Sequence, residues 1–431
     1  MRDNSDASAQ QADGTPYHPD VTGVVGDSDV ASSNIGFSAL REAAESRTYV
    51  SLGQRRTSSP HEFYRYPARF SPAFAAAAIE CFTKPGELVL DPFVGGGTTA
   101  IEAMRLGRRC VVADLNPLAT FVTAAKTTPL DATATRLVQR WLDGLPGIRL
   151  SDPMPDLSDW DEAGYFKDIE TPETWRLRKV IALALASCPR RSEEADRFCR
   201  CVVLRTAQWA LDMKSEVPSA ADLRDALIDN GRAMLSVARS WALEHGSSHA
   251  GLTILDVGLP GLASPFAEVT ADHPRAVVTS PPYPGVYVNY HRWKLRGRRE
   301  IPAPYWIADR RDGNGLAHYT MGARAEPTLN TYFSRLQQAY ADLVRTFDAD
   351  TTLVQLVGFS DLERQLPRYL EAMTTIGLEE FTIADLATHK DGRLWRSVPN
   401  RRWWTEVRSK EGVAEHTSRE VVLFHRLRPT R

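Results

Sequence analysis

Two short segments of this chain hold residue types that can do chemistry together. The first is Val278-Thr279-Ser280-Pro281-Pro282-Tyr283, which closes an apolar run of the buried-strand type. Adjacent prolines cannot continue a strand ladder and bring no backbone donors, so their carbonyls stand as fixed acceptors beside an aromatic ring. That set suits a planar ring carrying an NH2 group. Ser280 and the Pro281 carbonyl would accept the two amine hydrogens, Pro282 would complete the loop, and Tyr283 would lie over the ring face. Holding both hydrogens draws the nitrogen lone pair out of conjugation and aims it at an electrophile.

The second segment is Val89-Leu90-Asp91-Pro92-Phe93-Val94-Gly95-Gly96-Gly97-Thr98-Thr99-Ala100. Glycines between a strand and a helix permit positive φ angles and let a ligand approach the backbone closely. A phosphate-cradling loop needs a lysine before its Ser or Thr, and none precedes Thr98-Thr99. A dinucleotide fingerprint remains open, because Gly95-x-Gly97-x-x-Ala100 fits it and Asp114 lies beyond. Asp91 favours a different ligand. An acid just before the glycines repels a pyrophosphate, but pairs with the α-amino group of S-adenosylmethionine, which carries a cationic amine and sulfonium and no phosphate. Asp114 then serves as acceptor for the ribose hydroxyls.

The elements needed to hold these loops are legible around them. Leu88-Val89-Leu90 and Cys110-Val111-Val112-Ala113 read as buried parallel strands, with a helix over Thr98–Leu106 closed by Gly107. Strand, glycine loop, helix, strand and acid open a doubly wound α/β fold. Residues 130–250 break that rhythm with helical runs at Val180–Ala186, Phe198–Ala210 and Ala221–Ala242, an insertion of several helices. The α/β pattern returns at Leu252–Asp256 and Ala276–Thr279, followed by a helix over Tyr332–Phe347, a strand over Thr352–Val357, a helix over Leu362–Ile376 and a closing strand at Arg419–His425. Residues 1–35 hold few large apolar groups and are expected to be a disordered tail. The expected division is therefore a tail at 1–35, a first catalytic-domain part at 36–129, the insertion at 130–250 and a second part at 251–431.

Taken together, the two loops resemble those of the amino-methyltransferase family of DNA modification enzymes, which methylate cytosine N4 or adenine N6. Asp91–Thr98 resembles the family's cofactor loop and Thr279–Tyr283 its catalytic loop. Tyr66-Pro67-Ala68-Arg69-Phe70 is similar to the segment flanking the cofactor's methionine end. The resemblance spans roughly residues 60–125 and 250–430, and no motif covers the insertion. It implies a Rossmann-like, S-adenosylmethionine-dependent methyltransferase fold, a mixed seven-stranded sheet with helices on both faces and Arg419–His425 as its reversed last strand. It also implies S-adenosyl-L-methionine as cofactor, held by Tyr66, Phe70, Asp91, Phe93, Gly95, Gly97, Thr98, Thr99 and Asp114. Asp256 either contacts the adenine or caps a turn.

Adenine enzymes of the family mostly carry Asp where this chain has Ser280, and Ser is typical of cytosine-N4 enzymes. The expected activity is site-specific transfer to N4 of cytosine in double-stranded DNA. Adenine N6, and an RNA or tRNA base amine, remain as alternatives. A nicotinamide enzyme and a non-catalytic relative are more distant, because Asp91 argues against the first and the intact Ser280–Tyr283 loop against the second. The C5-cytosine class needs a nucleophilic Cys after Pro, and the one Cys-Pro adjacency, Cys188-Pro189, is reversed. The target base would leave the duplex to reach the donor, and transfer would be direct, without metal or covalent intermediate. A restriction or phage-defence setting with companion proteins is the natural expectation from the resemblance.

Two stretches are candidates for the phosphate backbone. Arg292, Lys294, Arg296 and Arg298 follow the catalytic loop with aromatics interleaved, and Arg401 and Arg402 sit in a second basic region beside Trp403 and Trp404. The competing reading for each is a solvated charged face. A formal net charge of −2 excludes a globally basic nucleic-acid coat but permits a local basic cleft. The five cysteines show no CxxC pair and read as thiols of a reducing compartment. Arg2 is followed by no apolar core and no run is long enough to span a bilayer, so a cytoplasmic protein is expected.

Overall fold

In the computed structural model, the described residues are 30–45, 59–66, 71–166, 168–214, 216–245, 251–284, 292–295, 299–312, 321, 328–397 and 419–429. Among them run ten strands: β1 (Leu88–Asp91), β2 (Arg109–Ala113), β3 (Leu252–Leu255), β4 (Ala276–Thr279), β5 (Trp293–Leu295), β6 (Arg299–Ile301), β7 (Thr352–Gly358), β8 (Leu378–Phe381), β9 (Leu394–Ser397) and β10 (Arg419–Leu427). Eight of them form one sheet in the order β3-β2-β1-β4-β7-β10-β8, with β9 also paired to β10. The pairs from β3 through β7 are parallel. β10 runs antiparallel to β7, β8 and β9. The sheet is thus the expected mixed one with its reversed last strand, but it holds eight strands rather than seven. The extra strand arises because β9 and β8 share one edge of β10, at Arg419–Val422 and Phe424–Leu427 respectively. β5 and β6 form a separate antiparallel hairpin.

Every residue of β1 and β4 is buried, as parallel strands covered on both faces must be. Side chains alternate between two cores. Leu88, Leu90, Val111, Val277, Leu353 and Val357 pack with the Thr328–Val344 and Leu362–Thr375 helices. Val89, Val112, Val278, Val354, Leu356 and Val422 pack with Leu40, Ala44 and the Pro72–Phe82 helix. That helix starts where Ser71 accepts a hydrogen bond from Phe74 N and Pro72 takes the first turn. The helix carrying Leu40 begins at Val30, inside the stretch expected to be a tail.

Between β2 and β3 the chain runs through helices at Pro117–Thr127, Ala132–Gly144, Ser158–Glu162, Trp175–Ala186, Glu193–Leu211 and Ala220–His245. They enclose a third core, and this core also takes in Tyr64 and Tyr66 upstream and Trp293, Leu295 and Tyr305 downstream. The helical layer therefore grips the chain on either side of the two loops. Among the described residues, no helix is long and apolar enough to cross a membrane.

Candidate active site

The strand order reverses between β1 and β4: from β1 the sheet grows outward through β2 and β3, and from β4 through β7 and β10. Ligands of open α/β sheets bind in the crevice beyond the carboxyl ends of the strands at such a switch point. The glycine loop leaves the end of β1 and the Ser280–Tyr283 loop leaves the end of β4, so both motifs open onto this crevice.

Asp91 joins them. Its carboxylate accepts from Phe93 N at 3.1 Å, from Thr99 Oγ1 at 2.6 Å and from Thr279 Oγ1 at 2.6 Å. The residue is 1% exposed. This differs from the expected direct pairing with a ligand ammonium: the acid is sealed inside the wall and ties the glycine loop to the end of β4. Burial pushes its pKa up to about 6, against the opposing pull of the Thr279, Thr99 and Phe93 hydrogen bonds. Thr98 and Thr99 are also buried, and the Thr99 hydroxyl is directed at Asp91 and the Val278 carbonyl. Phe93 packs beside Tyr340, ring centroids 6.4 Å apart.

The glycines serve the backbone directly. Gly95 and Gly97 adopt φ of 50° and 80°. A methyl group on Gly97 would stand 2.9 Å from Thr123 Oγ1, and one on Gly96 would stand 2.9 Å from Tyr66 Cβ. Tyr66 thus lies across the loop. Its hydroxyl accepts from Asn116 Nδ2 at 3.0 Å, and Asn116 Oδ1 accepts from Tyr305 at 3.1 Å. Lys126, 2% exposed, donates to the Gly96 carbonyl at 2.7 Å.

Asp114 ends β2, where its two oxygens accept Gly95 N and Asn116 N, each at 2.9 Å. A carboxylate has about four acceptor positions, so each oxygen keeps one for a diol. Burial raises the Asp114 pKa to about 6; the hydrogen bonds from Asn116 and Gly95 lower it, and Asp91 and Asp256 add to the rise. Asp256, exposed beyond β3, accepts from the Thr120 hydroxyl. This contact ties the end of β3 to the Pro117–Thr127 helix and is neither of the two roles expected for Asp256.

Two glycines in left-handed backbone, an aromatic cover and the carboxylates of Asp114 and Asp256 at neighbouring strand ends fit a ligand with a diol and positive charge. They do not fit a pyrophosphate. Among the described residues no group of three or more His, Cys, Asp or Glu is placed to hold a metal ion.

In the second loop, Ser280 Oγ lies 3.2 Å from the Tyr283 hydroxyl and 3.1 Å from the Leu356 carbonyl. The Tyr283 hydroxyl donates to Glu420 Oε1 at 2.9 Å. The Pro282 carbonyl, expected to stand free, accepts from Tyr332 at 2.8 Å. Ser280 and Tyr283 are partly exposed and Pro281 is buried.

The expected phosphate contacts fare unevenly. Arg292 is committed to Asp312, at 3.2 Å from Nε and 2.7 Å from Nη2. Lys294 is exposed on β5. In the second basic region, Arg393 forms a two-pronged pair with Glu380 at 2.7 and 2.8 Å, and Arg396 is 4% exposed. Phe70, Arg296, Arg298, Arg401 and Arg402 lie outside the described residues. Sequence reasoning missed Asn116, Lys126, Tyr305 and Glu420. Asn116-Pro117 was the one local signal, a helix cap followed by a first-turn proline.

Residues 41–122 match a family model described as DNA methylase. The chain is similar to the type II methyltransferase M.MvaI of Kocuria varians, 36% identical over 74 residues that cover 16% of each chain. The type II methyltransferase M.BsoBI of Geobacillus stearothermophilus is 36% identical over 73 residues, 17% of this chain and 14% of the relative. M.MjaII of Methanocaldococcus jannaschii, also a type II methyltransferase, is 26% identical over 78 residues, 18% and 15%. The match therefore spans no more than 16% of these curated relatives.

Proposed function

We propose, from the match of residues 41–122 to a DNA methylase family model and the two loops described above, that the chain transfers a methyl group from S-adenosyl-L-methionine to an exocyclic amine of a DNA base, N4 of cytosine. One observation carries the reading: Asp91 fastens the glycine loop to the Ser280–Tyr283 loop, so a donor on the first faces a base on the second across a single crevice. The bound donor supplies an electrophilic methyl group on a sulfonium. Asp114 accepts from the ribose, Gly95 and Gly97 let the donor lie against the backbone, and Tyr66 closes over the loop. Asp91 and Thr99 act through the loop they brace.

On the acceptor side, Ser280 and the Pro281 carbonyl hold the amine and Tyr283 offers a ring face to the base. The base must leave the duplex, which costs a few kcal/mol, offset by stacking and hydrogen bonds in the pocket. Rate enhancement then comes from positioning two reactants and from fixed acceptors around the nitrogen. Ser280 rather than an acid at this position supports cytosine over adenine. Lys294 and the basic segments around Arg296 and Arg401 are proposed to meet the phosphates, whereas Arg292 serves its ion pair.

Purified protein is incubated with methyl-labelled S-adenosylmethionine and either duplex DNA or transfer RNA. Label in DNA is expected. Label confined to RNA would overturn the substrate assignment.

A further inference from the structure

Behind the Ser280–Tyr283 loop lies a chain of polar groups that crosses three strands and ends on a buried ion pair. Glu420 on β10 faces Gly358 on β7 in the antiparallel register. A methyl group on Gly358 would come 2.8 Å from Tyr283 Cε2 and 2.9 Å from Cδ2, so the tyrosine ring packs directly against the glycine. This brings the Tyr283 hydroxyl to Glu420 Oε1 at 2.9 Å. The second oxygen of Glu420 lies 3.5 Å from Arg396 Nε, and the two side chains are 7% and 4% exposed.

The direction of each hydrogen bond follows from what each group can do. A carboxylate paired with a guanidinium only accepts, so the Tyr283 proton points to Glu420. The Tyr283 oxygen is then an acceptor toward Ser280, as is the Leu356 carbonyl, at 3.2 and 3.1 Å. Ser280 has one proton and gives it to one of these two. Whichever it chooses, one lone pair faces the other of these two groups and the second is left for an incoming donor.

Resting on the proposed transfer to a base amine, we infer that Glu420, backed by Arg396, is a positioning residue for that reaction: it fixes the direction of the Tyr283 hydrogen bond and so sets Ser280 as an acceptor for the target amine. A neutral amide in its place turns its oxygen to Arg396 and its NH2 group to Tyr283. Tyr283 then donates to Ser280, which draws electron density from that oxygen and weakens it as the acceptor of the amine hydrogen.

The test is steady-state kinetics of Glu420→Gln on duplex DNA, with melting temperature measured in parallel. The expected result is a kcat lower by roughly tenfold, less than the roughly hundredfold to thousandfold for losing an oriented polar contact outright because this one is weakened and not removed, with KM for S-adenosylmethionine unchanged. On a Tyr283→Phe background, which has no hydroxyl to orient, Glu420→Gln is expected to add nothing. Because the substitution leaves a buried guanidinium uncompensated, Arg396→Met combined with Glu420→Gln is measured as well; with no guanidinium to take the amide oxygen, Tyr283 can again donate to it, and kcat is expected to recover toward the wild-type value. Wild-type kcat in Glu420→Gln, a double variant as slow as Glu420→Gln alone, or losses that multiply on the Tyr283→Phe background, would overturn the assignment while leaving the methyl-transfer reading intact. Absence of transfer by the wild-type protein would overturn that reading, and the role of Glu420 with it.

Discussion

Asp114 and Asp91 both retain their protons up to about pH 6, because burial disfavours the charged form and Asp91 adds repulsion at Asp114. A donor whose ribose hydroxyls give their hydrogens to Asp114, and whose amine and sulfonium are cationic, binds the ionised form. Affinity should therefore weaken as the pH falls through that value. For one acid of pKa about 6 that must be ionised, the apparent dissociation constant scales as 1 + 10^(pKa − pH), close to 1 near pH 7 and about 11 near pH 5, a loss of roughly 1.4 kcal/mol. If Asp91 must be ionised too, the loss grows toward about a hundredfold, shared between two coupled titrations. Calorimetric titration with S-adenosylmethionine at the two pH values measures it. Near pH 6, binding should also release roughly half a proton per acid, visible as a dependence of the heat on buffer ionisation enthalpy. Asp114→Asn should bind more weakly near pH 7 and lose its share of the pH dependence. Equal affinity of the wild-type protein near pH 5 and pH 7 would refute the placement of the Asp114 carboxylate against the donor.

Gly97→Ala forces a left-handed φ on a residue with a Cβ and drives a methyl against Thr123, so it should cost about 2–5 kcal/mol and weaken donor binding, read by thermal unfolding and titration. Ser280→Ala should lower kcat by roughly a hundredfold without changing donor affinity, since it removes an acceptor needed in the transition state. His425 is buried, and burial with the nearby Arg393 charge lowers its pKa to about 3. The unfolded chain takes up that proton from about pH 6.5 downward, so stability from this group is present at neutral pH and lost as the pH falls from about 6.5 toward 3. Denaturant titrations of wild type and His425→Gln across that window should show a smaller fall in the variant.

The parts of the fold legible in the sequence were those with local causes. Leu88–Asp91 and Ala276–Thr279 are short apolar runs, buried on both faces, each ending on a loop whose residue types carry its chemistry. β10 holds the apolar run Val421–Phe424 and was expected as the reversed last strand from the resemblance. β8 and β9 were not, because Leu378–Phe381 and Leu394–Ser397 are four residues each and acquire their partners only when β10 lies between them and β7. At the site, residue identity was legible and direction was not. Asp91 was expected to face the ligand, but Thr99 and Thr279 turn it inward, and Thr279 lies 188 positions away. Arg292 reads as a phosphate contact until Asp312 is seen beside it. Glu420 is 137 positions from Tyr283, and no spacing rule connects a closing strand to a proline loop.

The most direct measurement is digestion of duplex DNA to nucleosides after incubation with the protein and methyl-labelled S-adenosylmethionine, followed by mass spectrometry. N4-methylcytosine is the expected product, absent with Ser280→Ala. N6-methyladenine would retain the amine chemistry and correct the base, whereas label on carbon 5 of cytosine, or none in DNA, would contradict amine transfer from the Ser280–Tyr283 loop.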